Sequence, residues 1–573
     1  MSHKKRALIH LLLALLVLSP MWLSPISRPI GHESGDLWNH AWGAWWFADS
    51  IGDLTLPWRT DLLYGPNGGV LWYIDPLGAT IGAPFTPFLG VIGSWNITLL
   101  IYLALASYAA ATLTARFSKT GWHTLIASTA LLFGPYLLSE VHNGISEAIN
   151  VAPAILAIAA AHKALHRGIK RDWVYLSLAL FVTALGSLYY LLGTAIVLAV
   201  IGLHWLVFLR PSKRQLAYAF SSASLSAVAI YPISVLMKAS VYAEDALVLR
   251  SSGMVEALKL HNAVDPRTYI APFGFQSVDL ASGGEAFLHS GYLGYTIIAL
   301  AFYGAYKSKS IQWIVAAIVS TIMGLGPRLF FDGEWVTTGA GNTLALPFAS
   351  IQSVLPQQAL THSLRIAMPG VAIFACLAAV GFMHILKSRA TGRYYIAAGA
   401  LVISDMILLG GSPWPVARAP SIDTEAAIFI RDSEHSGMVL DIPGNVGEGM
   451  DTSRYLTMQA YHQRSIPYRP DARGVTASLL GAHTFTVLIA TSENRDFHRE
   501  QLQRELSRIT ELRKNELHEL GVSHVVVHRE LERGEQGTAE AEDILRRLFG
   551  EPDVFGHHAV YEVLNNTGVI ELP

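Results

Sequence analysis

The sequence predicts a polytopic α-helical membrane protein of about eleven transmembrane helices, followed by a small soluble α/β domain. Three observations predict it. Of 573 residues, 52% are hydrophobic and only 15% are charged, against about 25% charged in an ordinary soluble domain. The mean hydropathy is +0.37. The charges are also uneven, falling in short basic clusters between apolar stretches and then densely over about the last 150 positions. A net charge of -2 gives no reason to expect a nucleic-acid partner. The single cysteine, Cys376, lies in an apolar stretch, which excludes an internal disulfide and any cysteine-based zinc site.

The first element is the uncharged run 7–27 behind His3-Lys4-Lys5-Arg6. Pro20-Met21-Trp22 stands where a signal peptide would need small residues, so the run reads as an uncleaved first span. With the N-terminus cytoplasmic, spans follow at about 7–25, 95–115, 122–139 and 145–163, with two more within 173–209. Five others lie at about 216–237, 290–306, 311–327, 367–385 and 394–411. In that count the short basic loops all share one side: Arg116 and Lys119, Lys163 to Arg171, Arg210 to Arg214, Lys307 and Lys309, and Lys387 to Arg393. The chain then ends outside. The expected organisation is a membrane domain over 1–411 and an extracytoplasmic α/β domain over 412–573, in the inner (cytoplasmic) membrane. No internal repeat supports an inverted-repeat transporter.

Beyond Pro413-Trp414-Pro415 the composition is that of a soluble domain. Strands are expected at 438–443, 522–528 and 559–564, and helices within 494–520 and 538–549. No metal cluster, nucleophile–base pair or phosphate-cradling loop is recognisable there. The glycine-rich stretch from Gly444 to Gly449 is not closely followed by a helix signal. This domain is therefore not expected to be the catalytic centre.

The chemistry-bearing stretch follows the first span, from His32 to Trp46. Leu37, Ala41, Ala44, Trp45 and Ala48 share one helical face, so an amphipathic helix on the outer surface is expected to begin just after Asp36, with its tryptophans at the membrane interface. Asp36 has two readings: an N-cap for that helix, or a catalytic carboxylate at the membrane surface. His32, Asp36 and His40 would share a face if all were helical, which is a possible metal set, although Gly35 interrupts the helix.

Gly35-Asp36 with Asn39 and tryptophans shortly after, directly outside the first span, resembles the integral-membrane glycosyltransferases of the GT-C class. Leu63-Tyr64-Gly65-Pro66-Asn67-Gly68-Gly69, Gly134-Pro135-Tyr136 with His142, and His362-Ser363-Leu364-Arg365 are similar to segments of bacterial members. So are Leu440-Asp441-Ile442-Pro443, Tyr461-His462-Gln463-Arg464 and the stretch from Leu520 to His528. The resemblance implies a GT-C-like fold and transfer of a sugar from a polyprenyl-phosphate carrier, in contact with membrane lipids, to an unidentified acceptor of the cell envelope at the outer face. It implies that Asp36 acts as general base, with inversion at the sugar carbon. Relatives carry an acidic pair in this loop. Here Glu33 and Asp36 stand three apart, so a divalent metal is left open as a cofactor.

The donor and acceptor would also meet Glu33, His40, His142, Lys238, His362 and Arg365. Arg365 and Lys238 are cations suited to the leaving phosphate, or else side chains snorkelling to lipid headgroups. Glu140, His142 and Glu147 flank the second outer turn and read either as ligand-binding groups or as a solvated turn. Arg59 and Asp61 read as a local pair, Asp405 as a costly intramembrane carboxyl with a buried partner, and Tyr189 and Tyr190 as lipid- or bundle-facing. Two other functions compete, a transporter or flippase and a non-catalytic envelope-assembly scaffold.

Overall fold

Long apolar runs free of interior charge can satisfy their backbone only as helices when water is absent, and helices dominate the first four hundred or so positions. The computed structural model describes residues 3–72, 75–248, 262–273, 287–339, 341–353, 361–386, 392–444, 450–469, 475–492, 511–530 and 535–572. The chain divides into two units. The first comprises Met1–His40, Ile74–Val235 and Arg250–Pro420, and the second Ala41–Tyr73, Leu236–Leu249 and Ser421–Pro573.

In the first unit the helices are α1 (His3–Val17), the opening turn of α2 (Leu37–Gly52), α3 (Pro76–Gly82), α4 (Thr86–Phe117), α5 (Thr124–Leu132) and α6 (Pro135–Asn143). They continue with α7 (Ser146–Ile149), α8 (Ala152–Arg167), α9 (Lys170–Gly186), α10 (Leu188–His204) and most of α11 (Lys213–Tyr242). The last are α12 (Tyr295–Lys307), α13 (Ile311–Met323), α14 (Met368–Leu386) and α15 (Gly392–Ser404). Each expected span overlaps at least one of these helices, and 122–139 and 145–163 overlap two each, α5–α6 and α7–α8. Among the described residues, however, six helical stretches are long and apolar enough to cross a membrane, or seven if the pair α5–α6, bent by 42°, is one span. The count of eleven is therefore not established by length. The expected turn between the fifth and sixth spans lies at Ser187, between α9 and α10. Lys387 and Arg389 lie outside the described residues.

Small residues set the tightest packing. A side chain at Gly304 of α12 would meet the backbone of Leu377, and one at Gly381 of α14 would meet that of Leu300. Only glycine lets two helices approach so closely. Asp405, in a wider helical turn after α15, is half-buried, and its Oδ2 has no hydrogen-bond partner among the described residues.

The second unit centres on a four-stranded sheet of β1 (Met438–Ile442), β2 (Val522–His528), β3 (Asp553–Phe555) and β4 (His558–Glu562), in the order β1-β2-β4-β3. β1 and β2 are parallel, and the other pairings are antiparallel. Every residue of β1 and β2 is buried, which explains why both read as nearly continuous apolar runs. Two helices used below are α16 (Met450–His462) and α17 (Glu535–Phe549). The expected helix within 494–520 falls mostly outside the described residues, and so does the glycine-rich stretch after Gly444. At 511–513 there is a short strand instead.

Two earlier stretches of chain join this unit. Arg59–Thr60 pairs antiparallel with Gly69–Val70. Arg59 forms its ion pair with Asp245 at 2.6 Å rather than with the expected Asp61, because the stretch around Ala246 lies against this hairpin through the Val70–Ala246 bridge. The backbone N–H groups of Tyr64 and Gly65 donate to Tyr468 and Ile466 at 3.0 and 2.9 Å. The rest of α2 belongs here too, and it corrects the expectation of a helix lying at the membrane surface. Trp42, Trp45 and Trp46 are all buried, Trp42 stacks on Trp46 at 5.7 Å, and its indole N–H donates to Gln459 at 2.6 Å. The apolar periodicity was real, but Trp42 and Trp46, which lie off that face, are covered by protein as well.

Candidate functional site

The site grows from the tight approach of two backbone segments in the first unit. Gly144 ends α6 in a left-handed conformation (φ +73°), and a side chain there would collide with Leu37. A side chain at Gly35 would collide with the Asn143 carbonyl. With both positions bare, the His32 N–H donates to the His142 carbonyl at 2.6 Å and the Asp36 N–H to the Asn143 carbonyl at 2.9 Å. The His32 and His142 rings stack with centroids 4.9 Å apart. Asn143 exchanges two side-chain hydrogen bonds of 2.8 Å with the backbone of Leu288. Three distant stretches of sequence are thus fixed side by side.

Asp36 precedes α2 directly, and its carbonyl accepts the His40 N–H at 3.1 Å, the backbone position of an N-cap. The residue is half-buried. Glu33 is exposed, and its carbonyl accepts the Trp38 indole N–H at 2.9 Å. His40 and His32 part company: His40 is buried, with Nδ1 3.0 Å from the Ser146 hydroxyl and Nε2 3.5 Å from Glu147.

The centre of the site is a buried charge cluster. Arg365, only 4% exposed, places one guanidinium nitrogen 2.9 Å from Glu147 Oε1 and another 3.5 Å from Glu140 Oε1. It also lies 5.4 Å from the centre of the Tyr189 ring. Glu140 and Glu147 are 3% and 5% exposed, so the second turn is not solvated. Neither is Arg365 a snorkelling side chain. Tyr190 is wholly buried and hydrogen-bonds Tyr136 at 3.0 Å.

The cluster continues through Ser146, which also hydrogen-bonds Asp75. Asp75 is fully buried, caps α3 through the Gly78 N–H at 3.0 Å and accepts the Tyr102 hydroxyl at 2.6 Å. Burial pushes its carboxyl up to about 7, against the pull of those hydrogen bonds. Three carboxyl groups therefore face one guanidinium and one imidazole in surroundings where isolated charge is expensive. Such a set must hold protons as well as charges, which suits acid–base work.

Beside the cluster is a small pocket lined by Glu140, Asn262, Val264, His289, His362, Leu364 and Arg365. His362 is held by the Thr361 hydroxyl at 3.0 Å from its Nδ1, and its ring lies 6.4 Å from that of His289. Of the residues singled out in the sequence, the fold gathers Arg365 and His362 at this pocket. His40 joins through Glu147, and Asp36 and His142 stand where their segments lock together. Lys238 is exposed and belongs to the second unit.

Sequence reasoning missed Asp75, His289 and Asn262, and it left Glu140 and Glu147 open between ligand-binding groups and a solvated turn. Asp75-Pro76 ahead of an apolar run carried a signal of a helix cap. Nothing local marked it as part of a charge network.

No family model and no curated protein matches this chain. Solved structures do. The arabinofuranosyltransferase AftD from Mycobacteria is 14% identical over 99% of this chain and 40% of its own length, with a TM-score of 0.52. A mutant form of it gives 0.55 over 99% of this chain and 42% of its own. The archaeal oligosaccharyltransferase AglB from Archaeoglobus fulgidus, solved with an inhibitory peptide and a dolichol-phosphate, is 14% identical, with a TM-score of 0.49, over 94% of this chain and 72% of its own. ArnT from Cupriavidus metallidurans, solved bound to undecaprenyl phosphate, is 10% identical, with a TM-score of 0.44, over 98% and 97%. The likeness to AftD shows that this chain shares that enzyme's fold, while spanning less than half of its length.

Proposed function

We propose that this chain is an inverting membrane glycosyltransferase that moves a sugar from a polyprenyl-phosphate carrier to an envelope acceptor at the outer face of the cytoplasmic membrane. The second unit would then lie outside. The observation that carries this reading is a pocket offering a carboxylate, a guanidinium, two imidazoles and an amide inside an otherwise apolar helical unit. Ionisable groups in such surroundings are costly and mark function.

Each group has a task in sugar transfer. A guanidinium carries five N–H donors, so pairing with Glu140 and Glu147 leaves Arg365 donors for a phosphate oxygen. The two glutamates hold it in place and are thereby committed. Asp36 is half-buried, so its carboxylate is partly open to an incoming acceptor hydroxyl, which suits it as the general base. His289, His362 and Asn262 supply hydrogen bonds of the kind sugar hydroxyls accept and donate. A scaffold or flippase would have no use for a base at Asp36.

One substitution separates these readings. Asn caps a helix about as well as Asp but cannot take up the proton. Asp36→Asn should therefore lower transfer from a lipid-linked donor on the order of 10²–10⁴-fold, with membrane insertion unchanged and the surface glycan lost. Running the assay in sealed right-side-out vesicles checks the face. Full activity in a correctly inserted Asn variant would remove Asp36 from the mechanism, whereas no transfer by the wild-type chain would put the scaffold ahead.

A further inference from the structure

The second unit holds a cluster that the transfer reaction does not use. His528 ends β2, Glu530 follows it in the next turn, and His558 opens β4. Their potential ligand atoms all lie within 4.8 Å of one another, and among the described residues this is the group of three so placed. His558 Nδ1 is 3.8 Å from Glu530 Oε2. Both atoms are buried, and neither has a hydrogen-bond partner among the described residues. Two polar atoms facing each other across a gap too wide for a hydrogen bond want a third party between them.

We propose that His528, Glu530 and His558 form a binding site for a divalent transition cation, with zinc the best match. Two imidazoles and one carboxylate are the nitrogen and oxygen donors that zinc takes, and three protein ligands leave a fourth position for water. Zinc–ligand bonds of about 2.0–2.2 Å bring ligand atoms closer together than 4.8 Å, so the ion would draw the three side chains inward.

The surroundings fit as well. Asp441 lies 2.8 Å from His528 Nε2, and a carboxylate that orients a ligating histidine is the usual second partner at such centres. The Tyr455 ring stacks on His528 at 4.6 Å and its hydroxyl donates to the Pro443 carbonyl at 2.7 Å, so the imidazole is held on its face too. Arg454 grips the other oxygen of Glu530 at 3.1 Å, which leaves Oε2 free to ligate. Glu530 and Asp423, whose carboxylate acts on His558, add negative charge beside the cluster that a divalent cation would offset. Glu530 is 21% exposed and gives an ion its way in. Asp441 and His528 also sit at the carboxyl ends of two adjacent parallel strands, where α/β sheets hold their ligands.

The test uses the full chain in detergent, stripped with a chelator and then titrated with Zn²⁺. Wild type should take up about one ion per chain at this site and gain thermal stability. With Co²⁺ it should show the visible absorption of a four-coordinate ion. Glu530→Gln, at the wet edge of the cluster, should fold normally and bind Zn²⁺ on the order of 10–100-fold more weakly. His558→Gln should lose the absorption band. No uptake by wild type at micromolar Zn²⁺, or undiminished uptake by Glu530→Gln, would overturn the proposal. Transfer activity plays no part in these readouts, so the assignment of glycosyl transfer can fail while this one stands.

Discussion

Both units of this chain bury carboxyl groups, and they neutralise them by different means. In the membrane unit Glu140 and Glu147 close on Arg365, whose charge is permanent. In the second unit the neighbours are imidazoles, and burial lowers both His528 and His558 to about 4. Those rings are neutral at physiological pH, Asp441 is pushed well above the usual carboxylate range by burial, and Arg454 holds only one oxygen of Glu530. A guanidinium locks a carboxylate pair into one arrangement. Imidazoles leave room for a proton or a metal ion. The first cluster is built to hold a geometry, and the second is built to accept something.

The strongest test of that contrast removes the guanidinium. Arg365→Met leaves two buried carboxylates without a cation, which should cost about 3–5 kcal/mol. It should appear as loss of inserted protein or a sharply lower melting temperature in detergent. Arg365→Lys should recover most of that stability while losing the planar fork, so donor binding would remain impaired. A normally stable Met variant would break the comparison.

Asp75 offers a gentler test, because its neutraliser is a proton. Its folded pKa of about 7 lies above an unfolded value near 4. The native state therefore holds the proton more tightly, and this carboxyl costs stability progressively as pH rises from about 4 through 7. Asp75→Asn should remove that slope, so the melting temperatures of wild type and variant should diverge with rising pH, the variant ending higher. Parallel curves would show that Asp75 is ionised throughout.

The smallest effect is expected at His142. Its ring stacks on His32, a contact worth about 0.5–1.5 kcal/mol, while the hydrogen bond between the two segments uses its backbone carbonyl. His142→Ala should lower stability by no more than that and leave donor turnover within a few-fold of wild type. A far larger loss of turnover in a stable variant would give the imidazole a chemical role that its stacking does not suggest.

Much of this molecule was legible in its sequence. Apolar run length located a helix for each expected span, because a lipid-facing backbone has no alternative to the helix. Buried strands read as continuous Val- and Leu-rich stretches, and β2 appeared at the expected residues, 522–528. The start of α2 just after Asp36 was likewise visible from its apolar spacing. These are local properties, decided by residues within a few positions of each other.

Partnership was decided elsewhere. Nothing near Glu140 announces Arg365, more than two hundred positions away, and the acidic turn looked solvated until the fold covered it. The tryptophans of α2 suited a membrane interface by composition and turned out buried, because segments remote in sequence pack over them. His528 and Glu530 stand two apart and carry no motif until the antiparallel pairing of β2 with β4 sets His558 opposite His528. By itself the sequence determined which segments become helix or strand and where charge is scarce. Only the tertiary structure decided which of those scarce charges meet, since burial and pairing depend on long-range packing that no local pattern encodes.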